Sequence, residues 1–213
     1  MTLARPNFIE RSPDVIEPEV TSAFEAALGK TLFPGQLERL LLNIATYREL
    51  LVRIGIQSAA EQNLVNYATG LNLDQLGALL AVTRLAATSA SVTLQFTRAS
   101  TAGSLTISAG TSARQPGSSV IFATQADATI ANGQLNTTVT AIATNTGPNA
   151  NGFNIGTITQ VIEAPTGVTA VTNTTASAGG SDTETDNAFR TRIKLAPNQF
   201  SVAGSKGAYK FHA

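Results

Sequence analysis

The spacing of hydrophobic positions changes twice along this chain. From about residue 20 to residue 80 apolar side chains recur every three or four positions. Between about residues 90 and 175 they alternate with polar ones. After Gly179 the helical spacing returns. Three regions follow from this: an arm and helices over 1–88, a β domain over 89–178, and the helical start of a C-terminal domain over 179–213. The fold class expected is α+β, with the central strands antiparallel in a sandwich or barrel.

In the first region Val20, Phe24 and Leu28 repeat every fourth residue. Pro18 suits a first helical turn and Gly29 a stop. Residues 1–17 carry Pro6 and Pro13 among charges and read as an extended arm with little core of its own. Arms of this kind are often mobile until they dock on a partner. The main helical segment is predicted from about Gln36 to Ala68. Leu37, Leu40, Leu41, Ile44, Tyr47, Leu51 and Ile54 hold the spacing, and Leu64 and Tyr67 resume it. Gly55 predicts a bend or break, because ~33 uninterrupted residues is long for a globular helix. Leu40, Leu41 and Leu42 in a row put apolar groups on more than one face. Such a helix is buried on both sides or packed on another chain, and a partner helix is the expectation. Glu38, Arg39, Arg48, Glu49 and Arg53 fall mostly off the stripe. Arg39 and Arg48 could hold a phosphate, but a solvated face or an inter-subunit salt bridge explains them more simply.

Tyr67 to Arg84 closes this region. Gly70 fits the end of the preceding helix, Asn72 can cap the next, and Asp74 would sit in its first turn, where the helix dipole favours negative charge. Leu73, Leu76 and Leu80 form its stripe.

The β region opens with Val92, Leu94 and Phe96 alternating with Thr93, Gln95 and Thr97. Leu105 and Ile107 follow, then a turn at Ala109-Gly110, then Val120 to Ala123. Asn132-Gly133, between Ile130 and Leu135, is the strongest hairpin signal in the chain. Val139 and Ala141 alternate next. Asn145 to Gly156 is a loop, and Ile158 to Ile162 and Val168 to Val171 are separated by a turn at Pro165 to Gly167. About seven short strands at this spacing fit a sandwich or barrel. Arg98, Arg114, Asp127 and Glu163 are the charges of this region, so its exposed faces are Thr, Ser, Asn and Ala. A surface so poor in charge does little to prevent edge pairing, and suits a module whose edges neighbours cover.

Beyond Gly179, Thr183 can cap a helix with Asp186 three residues on. Phe189 and Ile193 form its buried stripe and Pro197 stops it. Ser201 begins a further helix that carries Tyr209 and Phe211.

Composition narrows the chemistry. Charged residues are 13% of the chain, against roughly 25% in ordinary soluble proteins, and the net charge is zero. No long-range field therefore draws nucleic acid or an anionic membrane. Cysteine is absent, which removes disulfides and thiolate metal sites. The N-terminus lacks the apolar run of a secretory signal, and no stretch approaches the ~18 apolar residues of a membrane span. His212 is the single histidine, so His-based metal clusters and a Ser-His-Asp arrangement find no support. Asp182, Glu184 and Asp186 suggest a calcium loop, but Asn187 and Ile193 stand where an EF-hand needs glycine and glutamate. Carboxylates at a helix N-terminus account for the cluster better. Gly179-Gly180 lacks the rest of a phosphate loop. No cofactor and no catalytic residue is expected.

Two stretches resemble the J-type baseplate wedge proteins of contractile phage tails and related contractile injection systems. The first is Ala68, Gly70, Leu73, Asp74, Leu76, Leu79, Leu80, Val82 and Arg84. The second is Gly179, Gly180, Asp182, Glu184, Thr185, Asp186, Arg190, Arg192, Ile193, Pro197, Ser201, Ala203, Gly204, Ser205, Ala208 and Tyr209. The resemblance implies a structural, non-enzymatic part of a baseplate wedge, assembled in the host cytoplasm and carried in the virion tail. It implies helical-bundle partners: a second copy in a non-equivalent position and a related wedge protein. Neighbouring wedges, the baseplate hub and the sheath-initiating wedge protein would be further contacts. The candidate interface residues are then Leu37, Leu40, Leu41, Ile44, Tyr47, Leu51, Ile54, Leu64, Tyr67, Arg190 and Tyr209. Such proteins join wedges into a ring whose opening triggers sheath contraction, and they continue into a C-terminal α/β region. Ala213 falls in mid-helix, so missing residues or a partner surface are expected. The alternative is a glycan-binding β module of a tail fibre or adhesin, which the composition fits. The apolar helices and the lack of a Trp/Tyr face for stacking on sugars weigh against it. A hydrolase of the host envelope would have to work with Asp127 or Glu163.

Overall fold

The computed structural model describes residues 4–200. It contains two compact units. One joins the chain up to Thr83 with the chain from Asp186 onward, and the other is Arg84–Thr185.

The first unit is helical. Helix α1 spans Pro13–Leu28, earlier than expected. Ser12 is extended, and Pro13 takes the first helical position, where a missing N–H costs nothing. Pro18 therefore lies inside α1 instead of starting it. Gly29 ends the helix in the left-handed conformation, as read from the sequence. The extended arm shrinks to residues 4–12. Helix α2, Leu37–Glu61, runs unbroken through Gly55. A lone glycine lowers helix propensity by about 1 kcal/mol, too little to stop a helix with good formers on both sides. The break falls after Glu61, in tight turns over 62–67.

Helix α3 is Gly70–Ala78. Gly70 opens it (φ 51°) and does not close the helix before it. Thr69 holds the cap position, Asn72 lies within the helix with its amide donated to Gln62 Oε1 (3.2 Å), and Asp74 falls past the first turn. Helix α4, Asp186–Leu195, starts at Asp186, so Thr183 does not cap it. The Asp186 carboxylate instead accepts the N–H of Gly70 at 3.1 Å. Phe189 and Ile193 point inward, as their spacing predicts. With Ala68, Leu73, Val82 and Ala196 they form one buried cluster. A 3-10 helix, Ala196–Phe200, contains Pro197. The further helix read from Ser201, with Tyr209 and Phe211, lies outside the described residues.

The second unit holds eight antiparallel strands in two sheets. They are β1 Ser91–Arg98, β2 Leu105–Ile107, β3 Ser112–Arg114, β4 Ile121–Thr124, β5 Ala128–Ile130, β6 Asn136–Ala143, β7 Gln160–Val161 and β8 Val168–Asn173. Six follow the order β7-β3-β4-β6-β1-β8, while β2 and β5 form a separate ribbon. The outermost strands, β7 and β8, approach each other, so the six-stranded sheet nearly closes into a barrel. Its interior holds Val92, Leu94 and Phe96 from β1, with Phe122 meeting Phe153 edge-on at 5.5 Å. Asn132-Gly133 does not join a two-residue hairpin. It turns the chain from β5, which pairs with β2, into β6, which pairs with β1 and β4. Strand β3 is absent from the sequence reading because it is three residues long and only Ala113 points inward.

Candidate subunit interface

Helix α2 carries its apolar side outward. At 100° per residue, Leu37, Leu40, Leu41, Ile44, Tyr47, Leu51 and Ile54 fall within one arc of about 140°. All seven are exposed, from 50% for Leu51 to 69% for Leu37, and Val52 at their edge is 61% exposed. From Leu37, six of them step three, four, three, four, three, ending at Ile54. That alternation keeps a straight seam turned toward a partner helix over about 26 Å. Arg48 also faces outward here.

The opposite side of α2 is covered and largely polar. Leu42, Thr46, Gln57 and Glu61 are its buried residues. Helix α1 covers one end. There Arg39 donates to Glu17 and to the Thr21 hydroxyl, both at 2.9 Å. Arg39 is thus engaged within the chain. Arg53 pairs with Glu49 one turn before it at 2.6 Å, and Glu38 pairs with Lys30 at 2.7 Å. The arm covers the other end. The Arg5 guanidinium grips both oxygens of Glu61 at 2.7 Å, and the Gln57 amide also donates to Glu61. The hydrogen bonds from Arg5 and then Gln57 hold the Glu61 carboxyl down to about 2.

The remaining sequence-predicted residues do not join the seam. Leu64 and Tyr67 lie in the turns after α2, half-buried, and line an open apolar groove of about 380 Å³ with Ala4, Pro6, Val65 and Asn66. Arg190 spends its guanidinium inside the chain, on Val65 O (2.8 Å), Ala68 O (2.7 Å) and Asn187 Oδ1 (2.7 Å). It ties the turns after α2 to α4. Tyr209 lies outside the described residues. Val52 was missed although the helical count places it beside Leu41. Phe33, 63% exposed in the α1–α2 turn, has no periodicity to reveal it.

The acidic cluster near residue 184 is used structurally. Glu184 accepts the N–H of Leu85 at 3.1 Å, and Asp186 caps toward Gly70. Among the described residues no group of three or more His, Cys, Asp or Glu is placed to hold a metal ion, and no helix is long and apolar enough to cross a membrane.

Two family models match the sequence. The model described as the baseplate J-like protein barrel domain matches residues 93–180, within the barrel unit. The one described as the baseplate J-like N-terminal domain matches residues 39–91, which include most of α2 and all of α3. Among solved structures, a chain in the cryo-EM structure of the anti-feeding prophage baseplate, sixfold symmetrised, is similar at 13% identity and a TM-score of 0.43. The match covers 82% of the present chain and 50% of that one, so the chain spans half the length of its structural neighbour. The curated proteins contain no match.

Proposed function

The chain belongs to the baseplate J-like family of contractile injection systems, and on that premise we propose that it is a structural subunit of a tail baseplate, held to its neighbours through the outward side of α2. One observation carries this reading: seven exposed apolar residues, six of them in coiled-coil spacing, on one side of a helix whose other side holds the residues buried by its own chain. Each Leu or Ile buried there would contribute roughly 1.5–3 kcal/mol. A helical bundle with a second copy, in a non-equivalent position, and with a related wedge protein meets that need. The low charge of the barrel supports its placement among neighbours, since few charged residues guard its strand edges. The barrel and the residues after Gly179 then contact adjacent wedges, the hub and the sheath-initiating protein. Ring opening asks for interfaces that hold and then separate, which polar surfaces of moderate size allow.

The test is Leu41→Asp or Ile44→Asp. Both sites are solvent-facing, so the free chain should melt at an unchanged temperature. Yield of assembled particles should collapse, because a carboxylate would be buried without a partner. Normal particle yield with either variant defeats the proposal.

A further inference from the structure

The arm and α2 meet through a site built to read an extended peptide. Arg53, Gln57 and Glu61 lie one turn apart on a single line of α2. The Gln57 amide engages the backbone on both sides of Asn7: its Oε1 accepts the N–H of Phe8 at 2.8 Å and its Nε2 donates to Pro6 O at 2.8 Å. That pairing recognises extended main chain whatever the side chain between. Glu61 supplies the sequence preference by taking Arg5 in a two-pronged grip, the geometry a guanidinium and a carboxylate share. Arg53 reaches Glu10 O at 3.3 Å. Gln57 and Glu61 are 2% and 6% exposed, while Phe8 is half exposed. No apolar side chain of residues 4–12 is buried. The arm's specific contacts with α2 are therefore polar, with Ala4 and Pro6 resting beside the shallow apolar groove of Leu64, Val65 and Tyr67. Beyond the contact, Glu10 accepts the N–H groups of Arg11 and Ser12, both at 2.7 Å, in a tight turn before α1. Ile16, fully buried, anchors α1 itself.

We propose that the Gln57–Glu61 side of α2 is a recognition site for an extended segment led by arginine, filled in cis by the chain's own arm at Arg5–Phe8 and able to take the arm of a second copy in trans. Exchange requires only the turn at residues 10–12 to redirect. Every bond lost in cis is remade in trans, so the balance is set by local concentration. A short tether gives the cis arm an effective concentration of order millimolar, which keeps dilute chains closed. Copies crowded together reach that regime, as in other exchanges of an identical element between protomers. This goes beyond the seam on the outward side of α2 and does not depend on it.

The test uses full-length chains and a fluorescein-labelled peptide of residues 4–10, ARPNFIE. Arg5→Glu repels its own arm from Glu61, so this variant should bind the peptide. The unsubstituted chain should bind it at least about tenfold more weakly, since its own arm competes. Adding Gln57→Ala to Arg5→Glu should weaken peptide binding at least about tenfold. The double variant Arg5→Glu/Glu61→Arg recloses in cis with reversed charges and should reject the peptide. In native mass spectrometry, mixing Arg5→Glu with Glu61→Arg should give one-to-one dimers that neither variant forms alone, because only reciprocal exchange satisfies both sites. Failure of Arg5→Glu to bind the peptide, or binding indifferent to Gln57, overturns the recognition site. Monomers alone in the mixture, at concentrations where the peptide binds, overturn the second copy as occupant.

Discussion

Two charged residues show how local chemistry is settled by groups far away in sequence. Arg98, at the end of β1, is 5% exposed. Its guanidinium donates to five backbone carbonyls: Gln134, Thr101, Gly103 and Ala131 at 3.0–3.1 Å, and Ala102 at 3.4 Å. It closes the loops on either side of the β2–β5 ribbon. Arg98→Met removes every one of those donors and should cost the barrel about 3 kcal/mol, read from urea unfolding. An unchanged midpoint would mean that water replaces the guanidinium freely. Glu61 offers a pH test. Its carboxyl is held down to about 2 in the folded chain, against an ordinary value near 4.5. The contribution of the Arg5 clasp is then complete above about pH 5 and fades as pH falls through 2, when the carboxyl takes up a proton. Hydrogen exchange of the Phe8 N–H should be slow and level in protection from pH 8 to pH 5, and lose protection only in strong acid. Loss of protection by pH 5 would place the carboxyl near its ordinary value and contradict the clasp.

Helices show which features can be read from sequence and which cannot. The apolar spacing of α2 is plain in Leu37 to Ile54, and so is the alternation of Val92, Leu94 and Phe96 in β1. What periodicity does not say is which side the chain itself will cover. In α2 the covered side holds Gln57 and Glu61, because the arm supplies their partners from about fifty residues away. Asn132-Gly133 likewise reports a turn but not the sheet to which the next strand belongs. Glycine in a helix carries the same ambiguity. Gly55 in α2 has no atom within 4 Å of where a Cβ would stand, and its backbone is helical. Gly55→Ala should stabilise the helical unit by about 0.5–1 kcal/mol. Gly77 in α3 is different: a Cβ there would stand 2.5 Å from the Phe189 ring and 2.8 Å from Val82 O. Gly77→Ala should destabilise the same unit by about 1–3 kcal/mol. Thermal melts of the two variants should move in opposite directions. Shifts of the same sign would show that close packing against Phe189 does not set the role of Gly77.

At the scale of the molecule, the chain is a barrel inserted into a helical unit, and the insertion makes the two halves unequal in independence. The barrel is one continuous segment, Arg84–Thr185, with its core inside its own strands. Its two ends run side by side. Thr88 and Ser181 exchange both backbone hydrogen bonds at 2.9 and 3.1 Å, and Glu184 N–H reaches Leu85 O at 2.9 Å. Ends so joined fray little and need no outside support. The helical core is discontinuous: Ala68, Leu73 and Val82 come from before the barrel, while Phe189, Ile193 and Ala196 come from after it. A chain ending at Thr185 should therefore keep a folded barrel and lose the packing of α3. Residues 84–185 expressed alone should give dispersed amide resonances matching those of the barrel in the whole chain. Residues 1–83 expressed alone should give a collapsed amide spectrum for 68–83, although α2 can keep much of its helicity. The unequal outcome is the discriminating one. If residues 1–83 fold α3 without α4, the core built around Phe189 is not what holds it. If residues 84–185 fail to fold, the paired ends and internal core are not sufficient, and the barrel depends on the helical unit that flanks it in sequence.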